Sequence, residues 1–272
     1  MKSARLFRRL IVASISLPLP IAVALAQDSS DPDEIVRRAN LAAYYAGADG
    51  RSEVRMIITD AQDRQQRRQF TVLRRNVAQG GDQDFLVVFS QPSDVRNTVY
   101  LVKKHIGADD DRWLYLPGLD LIRRVSAGDK RTSFVGAHYF YEDVSGRGPD
   151  EDTHELIDTT DDHYLLRHAP KDPSSVEFVS YETWIDRKTF LPMKIEYTNA
   201  SGAVYRRVEV LQVEEIEGYP TVTLSRVTDL AGGGQTDMQF RYIDYDLGLD
   251  ESVFTERSLR NPPRQWLERP QE

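Results

Sequence analysis

The residues of this chain that could carry chemistry are five histidines, a run of three aspartates and a scatter of carboxylates; cysteine is absent. A zinc hydrolase needs histidines on one helical face, as in His-Glu-x-x-His, and none of His105, His138, His154, His163 and His168 has that spacing. His163 and His168 fall on one expected strand with odd separation, so they point to opposite faces and make a poor metal pair. The histidines read as surface or loop residues. Asp109-Asp110-Asp111 lacks the odd-position spacing and closing glutamate of a calcium loop and reads as a solvated turn. No Gly-x-Ser-x-Gly elbow, phosphate loop or dinucleotide fingerprint occurs, and without cysteine there is no thiol nucleophile. Glycosidase-type acids pair in space at roughly 5–10 Å with no fixed spacing in the chain. With 43 acidic residues, any pair picked from the sequence is coincidence. No enzyme, cofactor or metal is expected.

A different feature stands out. "WLYLPGLDLIRRVSAGDKR", Trp113 to Arg131, sets a greasy strand beside a block of positive charge in an acidic chain of net charge −8. That strand is core, a ligand wall or a docking surface, and the elements around it have to decide.

The chain opens with a basic head (Lys2, Arg5, Arg8, Arg9), an apolar run from Leu10 to Leu25 and the small-x-small Ala24-Leu25-Ala26. This reads as a secretory signal peptide over residues 1–26, cut after Ala26. The run is short of the ~20 apolar residues of a membrane span and holds Pro18 and Pro20. Arg8-Arg9 is a weak match to a twin-arginine signal, and the general secretory route is preferred. With no cysteine for a lipid anchor or a disulfide, the mature product is expected to be a free periplasmic monomer. Losing the leader takes the net charge from −8 to −12, which repels nucleic acid and anionic membrane faces.

"DPDEIVRRANLAAYYAG", Asp31 to Gly47, reads as one helix with Asp31 as cap, Pro32 at the first position and Gly47 as its close. Its narrow, alanine-rich face could lie against a curved sheet. The period then changes to 2, giving thirteen short runs between turn signals: 52–60, 66–75, 84–90, 98–105, 112–116, 121–126, 153–157, 163–168, 176–185, 191–198, 204–213, 221–230 and 235–245. Strands at that spacing mean a sandwich or barrel, here one domain over 27–255 with a polar tail over 256–272 that wraps the surface or frays. "DFLVVFS" and "TVYLV" are apolar at every position, so each must touch something on both faces.

The order "SEVRMIITD", "RRQFTVLRR", "FLVVFSQPSDVRNTVYLV" and "DRWLYLPGLDLIRRVSAGDKRTSFVGAHYFYEDV" is distinctive. It resembles the exported outer-membrane lipoprotein-sorting family, part of the LolA/LolB-like periplasmic carrier superfamily. The features that carry the resemblance are Met56, the Phe89-x-x-Pro92 turn, Trp113–Pro117, Arg123-Arg124, Asp129-Lys130-Arg131, Phe134-x-Gly136 and Tyr141-Glu142-Asp143, with "SVFTERSLR" near the C-terminus. The chain departs from the family at Ala137-His138, where the family has a small residue and then an acid.

The resemblance implies a mainly β fold: a single half-open antiparallel β-barrel with a few helices covering the mouth and an acyl chain of a lipid or lipoprotein in its concave face. It also implies shuttling between inner and outer membrane beside an inner-membrane exporter of the RND or MMPL type. A periplasmic lipid sensor acting on an anti-sigma factor and an envelope hydrolase are the alternatives; copurified lipid separates carrier and sensor from hydrolase. The candidate wall residues are Phe70, Val72, Phe85, Val87, Phe89, Leu101, Trp113, Leu114, Tyr115, Leu116, Met193, Ile195, Met238 and Phe240, each of which has ordinary core packing as its other reading. Arg123, Arg124, Lys130 and Arg131 would sit at the rim to meet a head group or a partner, or else pair internally with Asp120, Asp129, Glu142 and Asp143.

Overall fold

The structure is a computed structural model that describes residues 30–268. The expected leader, residues 1–26, lies outside the described residues. α1 (Pro32–Tyr44) starts as its sequence dictates: the Asp31 carboxylate accepts the Asp33 backbone N–H at 3.1 Å, and Pro32 takes the first position. It ends earlier than Gly47, at Tyr45, whose N–H donates to the Leu41 carbonyl at 3.0 Å.

Among the described residues, thirteen strands follow where the period-2 runs predict them, with ends moved by a few residues. They are β1 (Asp49–Thr59), β2 (Gln65–Asn76), β3 (Gln83–Gln91), β4 (Val99–Lys104), β5 (Asp111–Leu116), β6 (Leu121–Arg124), β7 (Asp152–Thr159), β8 (His163–Pro170), β9 (Ser180–Asp186), β10 (Pro192–Thr198), β11 (Val204–Ile216), β12 (Tyr219–Asp229) and β13 (Gln235–Tyr245). Every pairing is antiparallel, in one sheet ordered β6-β5-β4-β3-β2-β1-β13-β12-β11-β10-β9-β8-β7. The first and last halves of the chain join through β1 and β13. β6 and β7 do not pair, so the sheet curls without closing: a half-open barrel.

Residues 125–151 carry the chain from one free edge to the other across the inner face. This crossing holds α2 (Tyr141–Ser145) and brings Phe134, Ala137, Tyr139 and Tyr141 into contact with Phe70, Phe89 and Tyr100.

The doubly apolar strands have a partner on each side. Phe85, Val87, Phe89, Tyr100 and Val102 face inward. Leu86, Val88, Val99 and Leu101 face outward, where Leu249, Val253, Phe254 and Leu259 cover them with Trp266 and Leu267. The expected polar tail is therefore a strap. α3 (Glu256–Arg260) and α4 (Arg264–Leu267) lie along the outer face of the sheet, and the Arg51 Nε–H donates to the Trp266 carbonyl at 2.8 Å. A few apolar side chains on a charged segment suffice to dock it, which average composition hides. Among the described residues, α1 and α2 are the α-helices that border the barrel interior.

Candidate functional site

The interior is two regions built differently. In the first, the crossing segment folds back on itself. The Phe134 N–H donates to the Tyr139 carbonyl at 2.7 Å, the Ala137 N–H returns to the Phe134 carbonyl at 3.0 Å, and Gly136 takes φ +82° in the turn. This drives the Phe134 ring among Phe70, Phe89, Tyr100 and Tyr141 at centroid distances of 5.5–6.2 Å. Tyr139 ties the plug to β12 through Ser225 Oγ at 2.7 Å, and His138 ties it to Thr236 on β13. His138, at the position where the resembled family has an acid, thus acts as a tether.

The second region is a hollow of about 430 Å³. Its apolar wall is Phe70, Val72, Phe85 and Val87 from β2–β3, Ile195 from β10, and Met238 and Phe240 from β13. α1 covers it with Ala39, Ala42 and Ala43, side chains too small to fill it. The rest of the border is mixed: Ile185, Val208, Val210, Val222 and Ile243 extend the apolar wall, while Tyr181, Thr183 and Tyr197 from β9 and β10, with Glu142, Asp143 and Arg147 from the crossing segment, bring polar groups.

Seven expected wall residues therefore border the hollow. Phe89, Leu114 and Leu116 face inward but pack in the plugged region. Leu101, Trp113 and Tyr115 stand on the outer face under the C-terminal strap, because strand parity puts them opposite Tyr100 and Leu114. Met193 sits where the β9–β10 register slips between Pro192 and Lys194, and the lining passes from Pro192 to Ile195 without it. The alanine face of α1 and the tyrosines of β9 and β10 are lining residues that sequence reasoning missed. The alanines had a signal, a small-sided face suited to a curved sheet.

The basic cluster also divides. Arg123 is exposed beside Tyr141, and Arg124 pairs with Asp111 while lying 5.6 Å over the Trp113 ring. Lys130 and Arg131 are not at a rim. Lys130 reaches Glu142 at 3.1 Å and Glu151 at 2.7 Å; Arg131 reaches Glu142 at 2.6 Å and Glu177 at 2.8 Å. Arg147 joins them, bonding Asp152 at 2.8 Å and Glu151 at 3.0 Å. Burial alone would raise the Glu142 carboxyl, but Arg131, Lys130 and Arg147 overcome it and hold the pKa at about 2. The charges sit inside because they brace the crossing segment against β7 and the loop before β9. Asp110, expected in solvent, is half-buried, with its carboxylate paired to Arg112 at 2.6 Å.

His168 is likewise a correction. It is 2 % exposed, stacks on Tyr181 at 4.3 Å, and places Nδ1 2.7 Å from His154 Nδ1. Burial and then the neighbouring His154 push its pKa down to about 3.

A family model described as "-like: Uncharacterized protein" matches residues 81–261. No curated protein matches. Among solved structures, a DUF1329 family protein from Desulfovibrio piger is 28% identical, with TM-score 0.76 over 85% of this chain and 100% of that one. A putative outer membrane lipoprotein-sorting protein domain from Vibrio parahaemolyticus is 24% identical at TM-score 0.76, over 84% and 98%. A LolA superfamily protein from Nitrosomonas europaea is 18% identical at TM-score 0.65, over 84% and 99%.

Proposed function

We propose that the chain, which belongs to the family matched over residues 81–261 and shares its fold with LolA-like structures, is a periplasmic carrier. On this reading it holds the acyl chains of a lipid or lipoprotein in the hollow and moves them between the inner and outer membranes, without catalysis. One observation carries the reading: side chains pack the plugged half of the interior and leave about 430 Å³ vacant beside it, walled by Phe70, Val72, Phe85, Val87, Met238 and Phe240. That volume is within the range of small-molecule sites, roughly 300–1,000 Å³. Exposing an acyl chain to water costs about 0.8 kcal/mol per CH₂, so a 16-carbon chain needs shielding worth on the order of 12 kcal/mol. A roomy apolar wall supplies it without a tight shape that would resist release.

Among the described residues no helix is long and apolar enough to cross a membrane, which accords with a carrier that leaves the bilayer. The proposed supplier of cargo is an RND- or MMPL-type inner-membrane exporter, and Arg123 and Arg124 are the exposed cations of the basic stretch left to meet it. The test is binding of a fluorescent acyl probe and its transfer between vesicles. Saturable binding with catalysed transfer supports the carrier; binding without transfer would favour a sensor, and no binding would end the proposal.

A further inference from the structure

Resting on the carrier reading, we infer that the cargo is an amphiphile bearing a hydrogen-bond donor, a hydroxyl or amide N–H, and that His168 accepts that bond inside the hollow. His168 projects from β8 to the border of the hollow, and its Nε2 is buried without a partner. The neighbouring bonds fix which kind of atom it is. His154 Nε2 lies 2.9 Å from the Pro149 carbonyl, an acceptor only, so His154 Nε2 carries its proton and donates. With neutral His154, Nδ1 is then a lone pair, and His168 Nδ1, 2.7 Å away, must donate to it. His168 is left with a bare acceptor at Nε2. Burial keeps the ring neutral, so the acceptor does not fill itself with a proton from solvent. The Tyr181 hydroxyl cannot supply the bond, since it donates to Asp152 Oδ2 at 2.8 Å.

An unmet acceptor in a mainly apolar chamber is costly until a donor arrives. Cargo with its chain against Phe70 and Phe240 and a hydroxyl or amide near β8 would meet that need, and cargo ending in an ether or ester would not. The hollow would thus select by the polar end of its ligand, while its apolar wall accepts chains of varied shape.

The experiment compares 1-dodecanol with dodecyl methyl ether as competitors for a fluorescent acyl probe on delipidated protein. The alcohol should displace the probe at roughly tenfold lower concentration. In His168→Phe, which keeps a ring on Tyr181 but has no acceptor, the difference should vanish. Equal displacement of the probe from wild-type protein by both compounds overturns this inference and leaves the carrier reading intact. A preference for the ether overturns it too, since the apolar wall would then outweigh any bond to His168. Failure of the probe itself to bind removes the carrier reading beneath it. The wild-type comparison decides even where the variant does not fold.

Discussion

The plugged and hollow halves of the barrel share strands β2, β3 and β13 yet use them oppositely. Phe70, Phe85, Val87, Phe134, Tyr139 and Met238 belong to both, packed on one side and bordering the hollow on the other. Around Phe134 every inward side chain finds a neighbour, and the aromatic contacts lock the crossing segment to the sheet. A few residues further along, the same strands face alanines of α1 and leave space. The difference lies in what is laid against the sheet: a folded-back aromatic loop in one half, a small-sided helix in the other. A continuous curved sheet can therefore hold stability and ligand capacity in adjacent, separately adjustable regions.

That division can be tested by substitution. Phe134→Ala removes the plug's centre and should cost about 3–5 kcal/mol in urea unfolding, with loss of near-ultraviolet aromatic dichroism. Glu142→Gln removes the carboxylate that Lys130, Arg131 and Arg147 share and leaves each an anionic partner, Glu151, Glu177 and Asp152 respectively, so a loss of about 1.5–3 kcal/mol is expected by the same measurement. If either variant keeps wild-type stability, the plugged half is not the load the fold rests on.

Two buried groups at the border of the hollow set a pH dependence. His168 has a folded pKa of about 3 against an ordinary 6.5, so the unfolded chain takes the proton first, and stability falls as pH drops from 6.5 toward 3. Glu142 has a folded pKa of about 2 against 4.5, so its contribution is complete above pH 4.5 and is lost as pH falls through 2. Urea midpoints followed from pH 7 to 5 should decline in wild type and decline less in His168→Phe.

Filling the hollow should do the reverse of emptying the plug. Val72→Trp projects into vacant space, so stability should change by less than about 1 kcal/mol while acyl-probe capacity falls sharply. The same residue at Met56, which is fully buried in the plugged half, should cost about 1–3 kcal/mol as overpacking. The smallest effect belongs to Arg124→Ala, an exposed pair with Asp111, at roughly 0–1 kcal/mol with probe binding unchanged.

The strands were legible because alternation survives in a half-buried sheet; even the doubly apolar "DFLVVFS" announced two coverings. The identity of the outer covering was not legible. Residues 256–272 read as a polar tail, since Leu259, Trp266 and Leu267 among arginines and prolines leave composition unchanged. Strand parity would have moved Leu101, Trp113 and Tyr115 off the wall list, had the direction of Phe85 or Tyr100 been known; sequence alone does not say which face is concave. Lys130 and Arg131 were misplaced for a related reason. Their partner Glu142 is close in sequence, but Glu151 and Glu177 come from the far edge of the sheet, and only the curl brings that edge within reach.

The central claim is that the vacant half holds a hydrocarbon chain. The most direct measurement is mass spectrometry of an organic extract from protein purified without detergent. A defined lipid at near one per chain, lost in Val72→Trp and kept in Arg124→Ala, is the predicted result. Extract free of lipid, from protein that also takes up no acyl probe, would contradict it.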